Sequence, residues 1–516
     1  MLTIVKEMGR HRTIRDLVIL LGITLILGIY MIASTAVIAK DGVLYIERAQ
    51  QLPAQFTKIL NANEPFGFPA LIFASHRLFA LFPGSNSNLR WILSGQILVF
   101  VCRFVTVGIL YFFGKALLDR HRAFWGVLVL IFLPYPAEIG ADILRDWPHL
   151  LFLFAGLLCL YQGIRKERWG YFFAAGLLSG IGHLIRPECA QVVIYGILFF
   201  VLTIVTSAHR YASARRNWFY VMLPAGFLIV FIPYACCVES AVPTKLKKLY
   251  SNSSHSQVLK EVAEESGPCV YQAGMISGTK QIFPAAGQLL QGLSENLMYF
   301  FILPAVIGCW RFFKHPKKDK TNRWLVGMLI GFYVLALCLL YINWGYISRR
   351  HVLALTAILC FFVPSGLEVI SKWLCRSNDK NCRSSETWFI VLAAVGIAIC
   401  IPKLLRPIGH DKAHYREASA WIAENTPLRS RFYTFDKRIP FYANRPYRIY
   451  SDGRKFKADF KQRYLITSSK DGQLEIPLPR EMTLQAEFSS EKKDKTVLIY
   501  KKPRNTTGPS APIPQK

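Results

Sequence analysis

Long, almost uncharged apolar blocks alternate along the chain with short connections rich in Lys and Arg. A helix needs about 20 apolar residues to cross a hydrocarbon layer ~30 Å thick, and the first such block covers 17–39. Others lie near 90–114, 123–140, 148–164, 169–185, 190–208, 218–238, 295–313, 324–344, 352–374 and 387–405, which predicts about 11 spans. After 405 the pattern changes. Residues 415–424 read as a helix that stops before Thr426-Pro427, and 431–435, 463–467, 483–488 and 496–500 read as short strands. Residues 503–516, rich in Pro, Thr and Ser, read as a disordered tail. The expected fold class is mainly α: a polytopic membrane helix bundle over 1–405, followed by a small soluble α/β domain over 406–502.

One segment decides the topology. Residues 66–82 are apolar but begin at prolines (Pro65, Pro69) and carry His76 and Arg77 near the centre. A charge at mid-bilayer costs several kcal/mol at least. If this segment does not span, the basic connections 115–122, 165–168, 210–216, 314–323 and 372–383 all fall on the side of the basic N-terminus, as the positive-inside rule requires. The segment is therefore expected to be an interfacial or re-entrant helix. Two large outer loops result, 40–88 and 239–294, and loops of that length are usually functional.

Composition confirms the class. Of 516 residues, 53% are hydrophobic and 18% charged, which excludes disordered, collagen-like and disulfide-scaffold chains and a single soluble enzyme domain. Net charge is +30, and 406–516 alone hold 23 Lys and Arg against 12 Asp and Glu, so the excess is not confined to short loops. Such a tail is drawn to anionic membrane surfaces; no nucleic-acid motif is present. Most of the 12 cysteines sit inside apolar blocks, where Cys is a small hydrophobe, and none has metal-ligand spacing. A bridge from Cys269 to Cys236 or Cys237 is left open.

Candidate chemistry lies at the outer ends of the spans. Asp41 stands just beyond the first span, ahead of the amphipathic stretch 43–52, where a carboxylate at the interface can act as general base on a lipid-borne substrate. The turn 141–148 carries Asp142, Arg145 and Asp146 before Pro148. It reads equally well as a hydrated hairpin with Asp146 beside a helix N-terminus. Two further outer turns hold Arg186-Pro187-Glu188 and Arg349-Arg350-His351. Outer arginines run against the positive-inside rule, and the planar fork of arginine suits a phosphate at the membrane surface; snorkelling is the plain alternative.

One acidic site, several outer arginines and large outer loops above an apolar bundle are what transfer of a sugar from a polyprenyl-phosphate carrier needs. A phosphate leaving group calls for positive charge more than for a proton, so one carboxylate base suffices, unlike the carboxylate pair of glycoside hydrolases. Arg186, Arg349 and Arg350, with His351 or Lys245, are the candidates to hold the phosphate. No ligand cluster is visible, so no metal and no cofactor beyond the lipid-linked donor is expected; Asp146 is the residue that would ligate a divalent ion in a metal-using variant. Two other classes stay open. A flippase for lipid-linked sugars would bury ionisable groups at mid-membrane, and Arg103 is the clearest such group. A non-catalytic assembly component would depend on the basic tail rather than on Asp41.

These motifs carry a resemblance. Asp41 with Tyr45 nearby, Leu144-Arg145-Asp146-Trp147-Pro148, Arg186-Pro187-Glu188 and Arg349-Arg350-His351 occur in the order and spacing of the C-type integral-membrane glycosyltransferases. In particular the chain resembles the bacterial relatives of protein O-mannosyltransferases and of the lipid A aminoarabinose transferase. The tail segments 416–427 and 439–442 are similar to the soluble domain of such proteins. The resemblance implies an active site on the periplasmic or lumenal face of a multi-pass membrane protein (a bacterial inner membrane being the expected setting) and a first-loop general base, here Asp41. It also implies direct displacement with inversion, Tyr45, Arg145, Asp146 and Glu188 as orienting residues, and an envelope glycan, lipid or protein as acceptor. Two departures stand out: Asp41-Gly42 replaces the common Asp-Glu, and 64–69 reads Glu-Pro-Phe-Gly-Phe-Pro where many members have His-Pro-Pro.

Overall fold

The computed structural model describes residues 2–62, 65–79, 87–206, 214–238, 282–314, 320–376, 382–449, 464–470, 473–474, 478, 482–491 and 494–502. Lys245, Cys269, most of the 239–294 loop and the 503–516 tail lie outside them. Helices α1 (Leu2–Ala33), α2 (Lys40–Gln51), α3 (Phe56–Leu60), α4 (Gly67–Phe79), α5 (Ser87–Leu117), α6 (Arg120–Phe132), α7 (Pro134–Ile139), α8 (Asp146–Lys166), α9 (Trp169–His183), α10 (Gln191–Thr206) and α11 (Ala214–Cys237) make up the first part of the bundle. After 281 follow α12 (Ile282–Asn296), α13 (Ile302–Lys314), α14 (Lys320–Trp344), α15 (Leu353–Cys360), α16 (Val363–Arg376) and α17 (Cys382–Leu404). The chain is an integral, multi-pass membrane protein. Among the described residues six helices are long and apolar enough to cross a membrane alone, or seven if α15 and α16, bent by 46° to each other, count as one.

Three apolar runs read as continuous spans are broken, each for a local reason. The run 123–140 breaks at Leu133, because Pro134 and Pro136 lack the N–H that would continue the ladder. The run 352–374 bends between Cys360 and Val363, just before Pro364. The run 295–313 turns at Met298 and Tyr299, both with positive φ, so α12 reaches back into the outer loop and α13 starts afresh. The α6–α7 break puts backbone carbonyls of both helices within reach of side chains inside the bundle. Arg103, 1% exposed, donates to two of them, Ile131 O and Ala137 O at 3.3 Å each, and the Trp147 indole donates to Pro136 O at 2.8 Å. The mid-span charge that favoured a transporter is thus bonded to carbonyls at a helix break.

Of residues 66–82, Gly67–Phe79 form α4, which packs on α2 and on the part of α5 near Trp91. Its Gly67 N–H donates to Leu184 O at 2.8 Å, and the His76 ring stacks on Trp91 at 3.5 Å. At the other end of the bundle, Arg165 and Leu117 share Asn322, and Arg122 and Arg311 face Glu368. These described parts of the basic connections and the Asp41 end therefore occupy opposite ends of the helices.

The C-terminal unit has α18 (His414–Asn425) and α19 (Arg438–Tyr442) beside strands β1 (Phe432–Thr434), β2 (Tyr447–Ile449), β3 (Tyr464–Lys470), β4 (Gln473–Leu474), β5 (Thr483–Ser489) and β6 (Lys495–Lys501). The sheet order is β2-β1-β3-β6-β5, with β4 on β3; β1 runs parallel to β2 and β3, and β3, β6 and β5 are antiparallel. Its core of Tyr415, Ala418, Ile422, Phe432, Ile466 and Ile499 also takes in Val37, from just after the first span. This C-terminal unit is seated on the helix bundle at the residues that lead to Asp41.

Candidate functional site

The segment between α1 and α2 is held from both sides. Ala36 N–H bonds Ile408 O at 2.9 Å, the Ile38 N–H donates to the Tyr442 hydroxyl at 3.0 Å, and Ile38 O accepts from Arg438 Nη1. Gly409, at φ +69°, lies so close to Val37 O that a Cβ would collide with it. From the bundle side the buried Asp142 carboxylate accepts the Ala39 N–H at 3.0 Å on both oxygens and its neighbour Ile143 N–H at 2.7 Å. Burial pushes the Asp142 carboxyl above its usual range, although those N–H groups oppose the rise.

Asp41 sits in the first turn of α2, where the helix dipole favours a carboxylate. Both terminal nitrogens of Arg350 donate to its Oδ2 at 2.8 Å, and Oδ1 stays outside this contact. The side chains are 45% and 33% exposed, so the pair is open on one side. Burial opposes the Arg350 charge, but Asp146 and Asp41 together hold its pKa above the ordinary arginine value. The next residue, Gly42, stands where the common motif has glutamate, and it packs closely: a Cβ there would stand 3.0 Å from Ile143 Cβ and 3.2 Å from Ile143 O, so a larger residue would need Ile143 to give by a few tenths of an ångström. Tyr45, one turn on, is buried edge-on against Phe68 at 5.0 Å and lies within electrostatic reach of Arg186 and Arg350.

A second, more buried pair lies beside the first. Arg186 Nη1 meets Asp146 Oδ1 at 2.6 Å with 11% and 3% of the side chains exposed, and Arg186 Nε reaches Glu188 Oε1 at 3.2 Å. Burial disfavours the guanidinium, yet Glu188 and Asp146 hold its pKa above the ordinary value. Asp146 thus has a charged partner, and Arg145 flanks it within electrostatic range. Together Asp41, Arg350, Asp146 and Arg186 form an alternating acid–base cluster at one end of the bundle, which can keep a carboxylate ionised and offer donors to an anion.

Other sequence candidates sit at the margin. Arg349 turns to Glu295 at 3.5 Å and stacks over Tyr135 at 4.2 Å, while its carbonyl accepts from Asn296. His351 Nδ1 accepts the Ser348 N–H at 3.2 Å within its own turn. Sequence reasoning missed the soluble unit's contribution. Lys437, 6% exposed at the start of α19, lies near Glu47 and Asp41, and Arg438 pairs with Asp436 at 2.6 Å. The Tyr447 hydroxyl donates to Glu47. No local pattern marks these residues, since their partners lie far away in the chain or arise from the fold of the C-terminal unit.

The profile of the family described as "Dolichyl-phosphate-mannose-protein mannosyltransferase" matches residues 63–236, about a third of the chain, including Asp146 and Arg186 but not Asp41. No curated protein matches the sequence. Among solved structures, ArnT from Cupriavidus metallidurans is similar at a TM-score of 0.57 and 12% identity, with 93% of this chain and 97% of that one covered; the form bound to undecaprenyl phosphate gives 0.54 at the same identity and coverage. The Archaeoglobus fulgidus oligosaccharyltransferase AglB, in complex with an inhibitory peptide and a dolichol-phosphate, is similar at 0.58 and 11% identity, over 89% of this chain and 69% of that one. The chain has the fold of the C-type (GT-C) membrane glycosyltransferases and resembles, through 63–236, the dolichyl-phosphate-mannose-protein mannosyltransferases.

Proposed function

We propose that the chain is a membrane glycosyltransferase that moves a sugar from a polyprenyl-phosphate carrier to a hydroxyl of an envelope glycan, lipid or protein, with Asp41 as general base. The observation that carries this reading is the Asp41–Arg350 pair, half open to solvent, standing beside the buried Asp146–Arg186 pair. The fold supports it, and so do the carriers bound to two structural neighbours, undecaprenyl phosphate on ArnT and dolichol-phosphate on AglB.

In this mechanism the acceptor hydroxyl approaches Oδ1 of Asp41 and loses its proton there as its oxygen bonds to the anomeric carbon. The bond from that carbon to the carrier phosphate breaks on the opposite face, both electrons stay on the phosphate oxygen, and the configuration inverts. Arg350, and behind it Arg186, offset the charge on the departing phosphate; arrangement of positive charge ahead of the reaction is where such sites gain most. Tyr45 and Asp146 hold the two arginines in place. The active face and soluble unit lie on the periplasmic side of a bacterial inner membrane.

The test is a mass comparison of envelope glycolipids and glycans from a deletion strain complemented with wild type or Asp41→Asn. A product short by one sugar in both the deletion and the mutant is the expected result. An unchanged glycan profile in the deletion overturns the transferase reading.

A further inference from the structure

The end of the bundle opposite Asp41 carries a cavity of about 360 Å³ lined by α1 and α6. Arg15, Arg120 and His121 form its polar rim, and Ile19, Phe124 and Trp125 its apolar wall. Its single acid, Asp16, is spent internally: Oδ1 accepts from Arg120 Nη2 at 2.6 Å and Oδ2 from the Tyr111 hydroxyl at 2.9 Å. Arg120 Nε is buried with no hydrogen-bond partner, and Arg15 has no ion-pair partner among the described residues. Lys115, bonded to Thr13, and the backbone carbonyl of Arg12, which accepts from Arg120 Nη2, belong to the same end of the bundle.

Beyond the cavity, α1 carries an exposed apolar face. Arg15, Ile19, Gly22, Ile26 and Ile29 recur at helical spacing on one face of α1. Ile26 and Ile29 are 70% and 58% exposed, and nothing lies within 4 Å of the place a Cβ would take on Gly22. The result is a basic mouth next to an exposed apolar helix face. We propose that this site binds an anionic glycerophospholipid, its phosphate between Arg15 and Arg120 and one acyl chain along the Ile19–Ile29 face. Charge complementarity selects the headgroup, and the exposed apolar face selects a ligand with chains. A carrier-linked sugar is the wrong occupant, because about 17 residues of helix, ~26 Å, separate Asp16 from the end of α1 near Asp41.

The experiment uses full-length protein in mild detergent with equimolar phosphatidylglycerol and phosphatidylethanolamine of matched chains, read by native mass spectrometry. One phosphatidylglycerol should be retained in severalfold preference. Arg15→Gln should cut that retention severalfold at an unchanged unfolding temperature, and Asp16→Asn, which removes the competing charge, should raise it. Equal retention of both lipids, or indifference to both substitutions, overturns the proposal. So does displacement by millimolar inorganic phosphate, which marks a free-anion site, or preferential retention of undecaprenyl phosphate, which marks a carrier site. The outcome does not depend on sugar transfer.

Discussion

Arg350 places both terminal guanidinium nitrogens 2.8 Å from one carboxylate oxygen of Asp41, across 309 residues of chain. The contact joins the loop after α1 to the turn before α15 and holds the Asp41 carboxylate in a fixed position. Asp41→Asn keeps the shape and removes the proton acceptor, so transfer should fall by about 10²–10⁴-fold. Both side chains are more than a quarter exposed, and exposed pairs contribute about 1 kcal/mol or less. The unfolding temperature should therefore stay close to wild type, and a transfer assay on folded Asp41→Asn protein decides the point.

Arg350 is assigned two tasks, orienting Asp41 and meeting the carrier phosphate, and both use the planar fork. Lysine keeps the charge but offers one point donor. Arg350→Lys should cost about 1.5–3 kcal/mol of binding to a charged group, a rise of about 10–100-fold in the donor KM. Kinetics at varied donor and saturating acceptor would show it; an unchanged donor KM would move the phosphate elsewhere.

The sequence made the main cluster legible because charge at a span end stands out against apolar blocks. Asp41, Asp146, Arg186 and Arg350 were all readable on that ground, and the structure brings them to one end. Short strand-like runs likewise announced β1, β5 and β6 to within a residue and the start of β3, which runs on three residues beyond the expected end; β2 and β4 were not announced. Other features depend on distant chain. Lys437 and Arg438 look like solvated residues of a basic tail, yet both are buried, Lys437 near Glu47 and Asp41 and Arg438 on Ile38 O. Asp142 reads as one more charge in a hydrated turn, whereas its carboxylate holds the Ala39 and Ile143 N–H groups. Arg103 suggested a transport path because hydropathy cannot show the carbonyls of Ile131 and Ala137 that meet it across the α6–α7 break.

The Asp146–Arg186 pair is nearly dry, so breaking it differs from deleting it. Arg186→Met leaves the Asp146 charge buried and unpaired, which should cost about 3–5 kcal/mol, while the double variant Asp146→Asn with Arg186→Met should recover much of that loss. Chemical unfolding in detergent measures both. Recovery of stability without recovery of transfer would assign the pair a functional role; a mild single-variant effect would show that water reaches it.

Lys437 links the soluble unit to the site through pH. Burial lowers its pKa to about 8, with Glu47 and Asp41 opposing the shift. The folded state therefore disfavours the ammonium relative to the unfolded chain, whose lysine titrates near 10.4. Stability from this group is fully present above the unfolded value and is lost as pH falls through about 8. Between pH 10 and 7.5 the wild type should lose on the order of 2–3 kcal/mol from this group. Lys437→Met, which carries no such cost, should flatten the slope and melt higher than wild type at pH 7.5. Thermal unfolding of both proteins at half-unit pH steps settles it: parallel curves would mean that Glu47 and Asp41 already compensate the buried charge.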